Sequence, residues 1–364
     1  MVEKSKIKVP LQHSKEKLMF ENFDPNSVGL KDNNIFGLPT TEENASLIII
    51  PAPWEVTVSY RAGTANGPEA IMEASLQVDL YDPDGINQWQ KGYYMLPVDG
   101  NIAQQSKQLR AEAETIINAM AEGEDVNNIG EYQHKINLIN KAGQDFKNWL
   151  QEKTLHYINK GKKVVMIGGD HSTPLGYMQA LAKVHGNYGM LQIDAHADLR
   201  NAYENFIYSH ASIMYNVLKE IPEVSKLVQL GIRDYCDEEL EIINNNPRVK
   251  TFFDSDIKSQ IYEGASWKNI VDQVISELPE KVYISFDIDG LDPKLCPNTG
   301  TPVPGGFEAE QIVYLLRKIK ESKKQIIGFD LNEVSTGDNP DAIDPVVGAR
   351  MLYKMCNIFM SQQN

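Results

Sequence analysis

Two apolar runs in this chain end in acids spaced two residues apart, and no other feature limits its fold so tightly. Residues 189 to 193 lead into Asp194-Ala195-His196-Ala197-Asp198, and Val282 to Phe286 lead into Asp287-Ile288-Asp289. In a strand, residues i, i+2 and i+4 share a face, so Asp194, His196 and Asp198 converge on one point if the extended geometry continues past Ile193. Asp287 and Asp289 do the same. Like charges packed this closely repel one another unless a cation neutralises them. A third run, Val164 to Ile167, opens onto Gly168-Gly169-Asp170-His171-Ser172 and adds an imidazole. A lone Asp at a strand end is ordinarily a turn former or the N-cap of the next helix, and a lone histidine there is ordinarily structural. No turn requires three such clusters. Six donors from three strand ends, His171, Asp194, His196, Asp198, Asp287 and Asp289, suit two divalent metal ions better than one.

The rest of the pattern supplies the scaffold. Continuous apolar strands are expected at Leu47 to Ile50, Val164 to Ile167, Gly189 to Ile193, Leu227 to Leu230, Thr251 to Phe253, Val282 to Phe286 and Gln325 to Phe329. Helical patterns fall between them: one starting at Glu69, one long segment near 103 to 160, one after Pro174, and others near 266 to 277, 308 to 320 and 345 to 360. In the long segment Tyr132, Ile136, Ile139, Phe146, Leu150 and Tyr157 recur at helical spacing and mark one buried stripe. Such alternation predicts an α/β fold: a three-layer, doubly wound parallel sheet with helices on both faces. Ligands bind such sheets beyond the carboxyl ends of the strands, where all three acidic clusters lie. Residues 1–45 are polar and aperiodic and read as an N-terminal arm packing on the body or on a neighbouring subunit; 46–364 form the α/β unit.

Composition narrows the function. The 364 residues are 42% hydrophobic, enough for a large core. No apolar run spans a bilayer and the charged start does not resemble a signal peptide, so a cytoplasmic protein with no membrane partner is expected. Cys236, Cys296 and Cys356 lack any C-x-x-C spacing, which supports neither a disulfide framework nor a thiolate zinc site. A net charge of -15 opposes nucleic acid and suits cationic ligands. No glycine-rich stretch has the spacing that cradles phosphates.

Gly-Gly-Asp-His-Ser at 168–172, Asp-Ala-His-Ala-Asp at 194–198 and Ser-Phe-Asp-Ile-Asp-Gly-Leu-Asp-Pro at 285–293 resemble, in order, the three signatures of the ureohydrolases, the arginase and agmatinase family. The resemblance runs from about Leu47 to the last helix and includes Gly300-Thr301-Pro302 and Asp330-Leu331-Asn332-Glu333-Val334. It implies an arginase-like fold with a binuclear metal site that cleaves a guanidino compound into urea and an amine. By motif, His171, Asp194, Asp198 and Asp287 hold one ion, and His196, Asp194, Asp287 and Asp289 the other. Carboxylates and imidazoles without thiolates suit Mn²⁺ and permit Ni²⁺. The resemblance makes His210 the proton shuttle and Glu333 the carboxylate that meets the guanidinium fork. It also implies a homo-oligomer, a trimer or a hexamer.

For the substrate, the run from Asp198-Leu199-Arg200 to His210 is similar to the agmatinase-like branch, and Cys236 stands where arginases place an amino-binding aspartate. The segment Pro53-Trp54-Glu55-Val56-Thr57-Val58-Ser59-Tyr60 resembles the subgroup that hydrolyses free guanidine with nickel. Trp54 and Tyr60 are therefore candidates to stack on a small cation, with Arg200 and Thr301 as further substrate contacts. Free guanidine is the favoured substrate and agmatine the alternative. The one-zinc, histone-deacetylase-like class lacks a two-metal set, and a catalytically silent metal-binding regulator has no chemical need for His210 and Glu333.

Overall fold

The run Leu47–Pro51 forms the first strand, β1, of a sheet buried on both faces. In this computed structural model, which describes residues 20–339 and 341–362, Leu47 and Ile49 enter one apolar cluster and Ile48 and Ile50 the other. The remaining strands are β2 (Tyr93–Met95), β3 (Lys163–Ile167), β4 (Tyr188–Ile193), β5 (Val224–Ile232), β6 (Val249–Phe253), β7 (Lys281–Asp287) and β8 (Gln325–Asn332). All pair in parallel, in the order β2-β1-β3-β8-β7-β4-β5-β6. Parallel neighbours need crossover helices, and those helices cover both faces.

Ten α-helices occur among the described residues: α1 (Gly67–Ser75), α2 (Gly100–Ala121), α3 (Gly130–Asn159), α4 (Leu175–His185), α5 (Ile213–Glu220), α6 (Asp237–Asn245), α7 (Asp254–Tyr262), α8 (Trp267–Glu277), α9 (Ala309–Glu321) and α10 (Asp344–Ser361). Helices α1, α7, α8, α9 and α10 pack on the face of Leu47 and Ile49, while α2, α3, α4 and α5 pack on the opposite face. The layers are those expected of a doubly wound α/β fold. None of the described helices is long and apolar enough to cross a membrane.

The expected long helical segment is two helices. Gly123 adopts a left-handed φ of 81°, which ends α2, and the chain re-enters helix at Gly130. The predicted stripe holds on α3, where Ile136, Ile139, Phe146, Leu150 and Tyr157 are buried. Of the expected arm, residues 1–19 lie outside the described residues, and the part from Phe20 onward packs on the body. Phe20 and Phe23 flank the Trp89 ring, and Ile35, Phe36 and Leu38 are buried. Asn34 brackets the edge strand: its Oδ1 accepts from Met95 N at 2.6 Å and its Nδ2 donates to Met95 O at 3.1 Å. Two polar groups of the sheet's edge strand are thereby satisfied.

The loop after β1 decides the place of Trp54. Its carbonyl accepts from Asp170 N at 2.9 Å, an approach that needs Gly169, since a Cβ there would lie 2.0 Å from that oxygen. So held, the Trp54 ring turns into the core, 2% exposed, and stacks on Phe146 at 4.6 Å between centroids. Tyr60 is 66% exposed, beside the Arg61 guanidinium. Trp54→Ala should therefore lower unfolding stability by about 3–5 kcal/mol, whereas Tyr60→Ala should stay within about 0.5 kcal/mol of the parent. Denaturant unfolding measures both, and equally small effects would contradict this packing.

Candidate metal centre

Strands β3, β8, β7 and β4 are neighbours in the sheet, so the residues at their carboxyl ends meet. His171 follows β3, Glu333 follows β8, Asp287 closes β7 and Asp194 follows β4. Asp194 Oδ2 and Asp198 Oδ2 each lie 2.9 Å from His171 Nδ1, and Asp287 Oδ2 lies 3.3 Å from it. His196 Nδ1 is 3.0 Å from Asp289 Oδ2 and 3.6 Å from Asp194 Oδ1. The two oxygens of Asp194 thus face different imidazoles. Two groups result, His171–Asp194–Asp287 and Asp194–His196–Asp289, each with donor atoms within 4.8 Å of one another. Asp194, His196 and Asp198 do not converge on a single point as a continued strand would make them. The strand stops at Ile193 and Asp198 takes a left-handed φ of 56°, which swings its carboxylate towards His171.

Charge in this buried cluster is out of balance. Burial alone would depress the His171 imidazole, yet hydrogen bonding to Asp194, Asp198 and Asp287 lifts it well above its usual range. Burial likewise works against protonated His196, and Asp289 and Asp194 raise it instead. Burial would raise Asp194, but bonds from both histidines hold it far below the carboxylate range. Asp198 is pushed up to about 7 by burial and by Asp194. Asp287 is pushed well above its ordinary value by burial, Asp289 and Asp194. Asp198, Asp287 and the two imidazoles thus favour protonated forms whose protons divalent cations would replace. Two donor atoms fit that replacement directly: His171 Nδ1 and Asp289 Oδ2 are buried and face only ionisable groups of the cluster itself. The six residues suit a pair of ions such as Mn²⁺, or Ni²⁺ by donor type.

Polar groups behind the ligands orient them. Ser285 Oγ lies 2.9 Å from His171 Nε2 and donates to Asp330 Oδ1 at 3.1 Å, leaving Nδ1 to face the carboxylates. Arg233 donates to the carbonyls of Asp289 at 2.6 Å and Leu291 at 3.2 Å, fixing the turn that presents Asp289. Sequence reasoning does not single out Ser285 or Arg233 as site residues, although Ser285 opens the motif segment 285–293.

Glu333 and His210 complete the surroundings. Glu333 sits at φ 62°; its Oε1 accepts from His171 N at 2.9 Å, and its Oε2 is buried and unpartnered. Burial and the nearby Asp170 charge push its carboxyl well above the usual range. A Cβ on Gly300 would come within 2.8 Å of Oε2, so glycine leaves the space before it open. His210 opens a 3₁₀ turn ahead of α5, with Nε2 3.3 Å from Ser59 Oγ and Nδ1 3.3 Å from Ser209 Oγ. Burial, with the charges of His196 and Arg110, pushes His210 down to about 3, so it is neutral at pH 7.

A cavity of about 140 Å³ opens over this centre, bordered by His196, Asp198, His210, Ser59, Arg200 and Thr301. Arg200 lies over the Tyr203 ring at 4.7 Å and 3.8 Å from Glu239. The expectation that Trp54 and Tyr60 stack on substrate is corrected: neither borders the cavity, because Trp54 is spent on Phe146 and Tyr60 projects to solvent. Ser59, from the same segment, borders it instead. Cys236 opens α6, its backbone N–H held by Glu239 Oε2 at 2.9 Å.

Comparison with known proteins agrees with this geometry. A model of the arginase family matches residues 45–357. An N(1)-aminopropylagmatine ureohydrolase of Thermus thermophilus is 31% identical over 303 residues, covering 83% of this chain and 87% of its own. An agmatinase of Blochmanniella floridana is 28% identical over 329 residues, 89% of this chain and 90% of its own. The structure of proclavaminate amidino hydrolase from Streptomyces clavuligerus superposes with a TM-score of 0.68 at 22% identity, covering 92% of this chain and 99% of that one. The chain belongs to the arginase family, as a metal-dependent ureohydrolase of the agmatinase-like branch.

Proposed function

We propose that this protein hydrolyses a small guanidinium compound to urea and an amine or ammonia, with free guanidine ahead of agmatine. The observation that carries the hydrolysis is the meeting of the two imidazole–carboxylate groups with Glu333, a buried carboxylate with one oxygen unengaged. When bound, a pair of divalent ions, Mn²⁺ or Ni²⁺, supplies a water acidified towards neutral pH. His171, Asp194, Asp198 and Asp287 would hold one ion, and His196, Asp194, Asp287 and Asp289 the other. Glu333 Oε2 accepts from the guanidinium N–H groups and turns the planar carbon towards the centre. The departing nitrogen needs a proton. His210, kept neutral, accepts one at Nε2 and returns it to that nitrogen, and Ser59 Oγ at 3.3 Å holds the ring in place.

The small cavity supports a small substrate. Ligand sites commonly measure about 300–1,000 Å³, and this one measures about 140 Å³. An α-amino acid end would enter without the amino-binding aspartate expected in an arginase, because Cys236 stands at that place ahead of α6. Agmatine is the second reading, favoured by Asp234, an exposed carboxylate on the cavity border that makes no ion pair among the described residues. It could meet a primary ammonium.

Urea release from guanidine, agmatine, arginine and guanidinobutyrate, after loading with Mn²⁺ and separately with Ni²⁺, tests the substrate. Two imperfectly paired groups on arginine, each costing about 1–3 kcal/mol, predict kcat/KM for guanidine over arginine above about a hundred. The ratio over agmatine should exceed one. Arginine turned over as well as guanidine refutes the small-substrate reading, and agmatine ahead of guanidine moves the assignment to agmatinase. For the shuttle, His210→Ala should lower turnover by about 10²–10⁴ while both ions stay bound. Unchanged turnover removes His210 from the reaction.

A further inference from the structure

One level below the metal ligands, five adjacent strands each contribute a polar residue to a single row. Asp330 of β8 is in register with Ser285 of β7, Ser285 with Gln192 of β4, Gln192 with Gln229 of β5, and Gln229 with Thr251 of β6. Both glutamines are 0% exposed. Polar side chains in the middle of a buried parallel sheet are unfavourable unless every group is paired. Here the pairing runs in one direction. Thr251 Oγ1 donates to Gln229 Oε1 at 2.7 Å. Gln229 Nε2 donates to Gln192 Oε1 at 2.7 Å and to Ala197 O at 2.8 Å. Gln192 Nε2 donates to Asp194 Oδ2 at 2.8 Å and to His196 O at 3.1 Å.

We infer that Gln192 and Gln229 are positioning residues that set Asp194 as the bridge between the two ion sites, an inference that rests on the metal-centre reading above. Both N–H bonds of each amide are used, which fixes their orientation. A reversed Gln192 would set its carbonyl against the Asp194 carboxylate and the His196 carbonyl, a repulsion on both sides. Gln229 prevents that reversal by offering Gln192 a donor, and its own orientation is set by Ala197 O and Thr251. The Asp194 carboxylate is then held with Oδ2 towards His171 and Oδ1, which accepts from His196 N at 2.7 Å, towards His196. The carbonyls of His196 and Ala197 are tied to the same two amides, so the relay also holds the turn that delivers Asp198. No atom of Gln229 or Thr251 belongs to a ligand residue, yet both act on the bridge.

Calorimetric titration of Mn²⁺, and separately Ni²⁺, into metal-free protein tests this without any activity readout. Gln229→Glu keeps size but removes the donor and invites the reversed Gln192; Gln229→Met keeps bulk without polarity. Both should weaken the ion sites by about 10–100-fold, with Gln229→Glu the worse, and Thr251→Val should act in the same direction more weakly. Circular dichroism and melting of the metal-free variants report folding separately. Variants that melt lower but bind both ions with the parent's dissociation constants have only a structural fault, and that result overturns the inference. If Gln229→Glu does not fold, Gln229→Met decides alone by the same criterion. A parent that takes up no divalent ion contradicts the metal-centre reading itself, which is a different result from unequal binding by parent and variants.

Discussion

The crowding of four carboxyl groups around two imidazoles at the carboxyl ends of β4 and β7 is the constraint on which the rest depends. Two unit charges about 4 Å apart interact by about 4 kcal/mol at an effective dielectric near 20, and Asp194, Asp198, Asp287 and Asp289 are crowded around only two imidazoles. Water cannot relieve this, since all four carboxylates are buried. The fold carries further strain to assemble the cluster. Asp198 and Glu333 both occupy left-handed backbone conformations, each worth roughly 1–2 kcal/mol for a side chain with a Cβ. Such strain persists where the surrounding structure over-determines it. A pair of divalent cations, held by these residues, would turn that repulsion into coordination.

The sheet makes that coordination possible by placing β3, β8, β7 and β4 side by side although they are scattered in sequence. Each carboxyl end then contributes from a rigid element, and the row beneath fixes how the side chains point. Ser285 selects the nitrogen that His171 presents, Gln192 aims Asp194, and Arg233 fastens the turn after β7. Around this rigid base the mouth is built from loops. Ser59, Arg200 and Tyr203 come from segments without regular structure, and this is where relatives of one chemistry can differ in substrate.

Much of the site was legible in the sequence because it is local. Acids two apart after apolar runs need no tertiary information to be suspected, and the three segments supply the residues of both imidazole–carboxylate groups. Long apolar strands were legible for the same reason. Strand β2 was not: three residues, Tyr93–Met95, are too few for any period. Helices α5, α6 and α7, of eight or nine residues, were also unread; α6 opens on Asp237-Glu238-Glu239 with little apolar face, and its only fully buried residue is Glu239. Trp54 shows the opposite failure. An aromatic next to a turn reads equally as a ligand contact or as packing, and the choice was made by Phe146, a partner remote in sequence. Gln192 and Gln229 were invisible for a related reason, because their pairing exists only once strand register is set.

The proposed chemistry and the inferred positioning row both rest on the proposal that two ions would share Asp194, and elemental analysis of protein loaded with Mn²⁺ or Ni²⁺ and freed of excess addresses that most directly. Two ions per chain are expected for the parent, and fewer than two for Asp289→Asn, which removes a ligand from the His196 group alone. One ion per chain in the parent, unchanged by Asp289→Asn, would contradict the shared bridge.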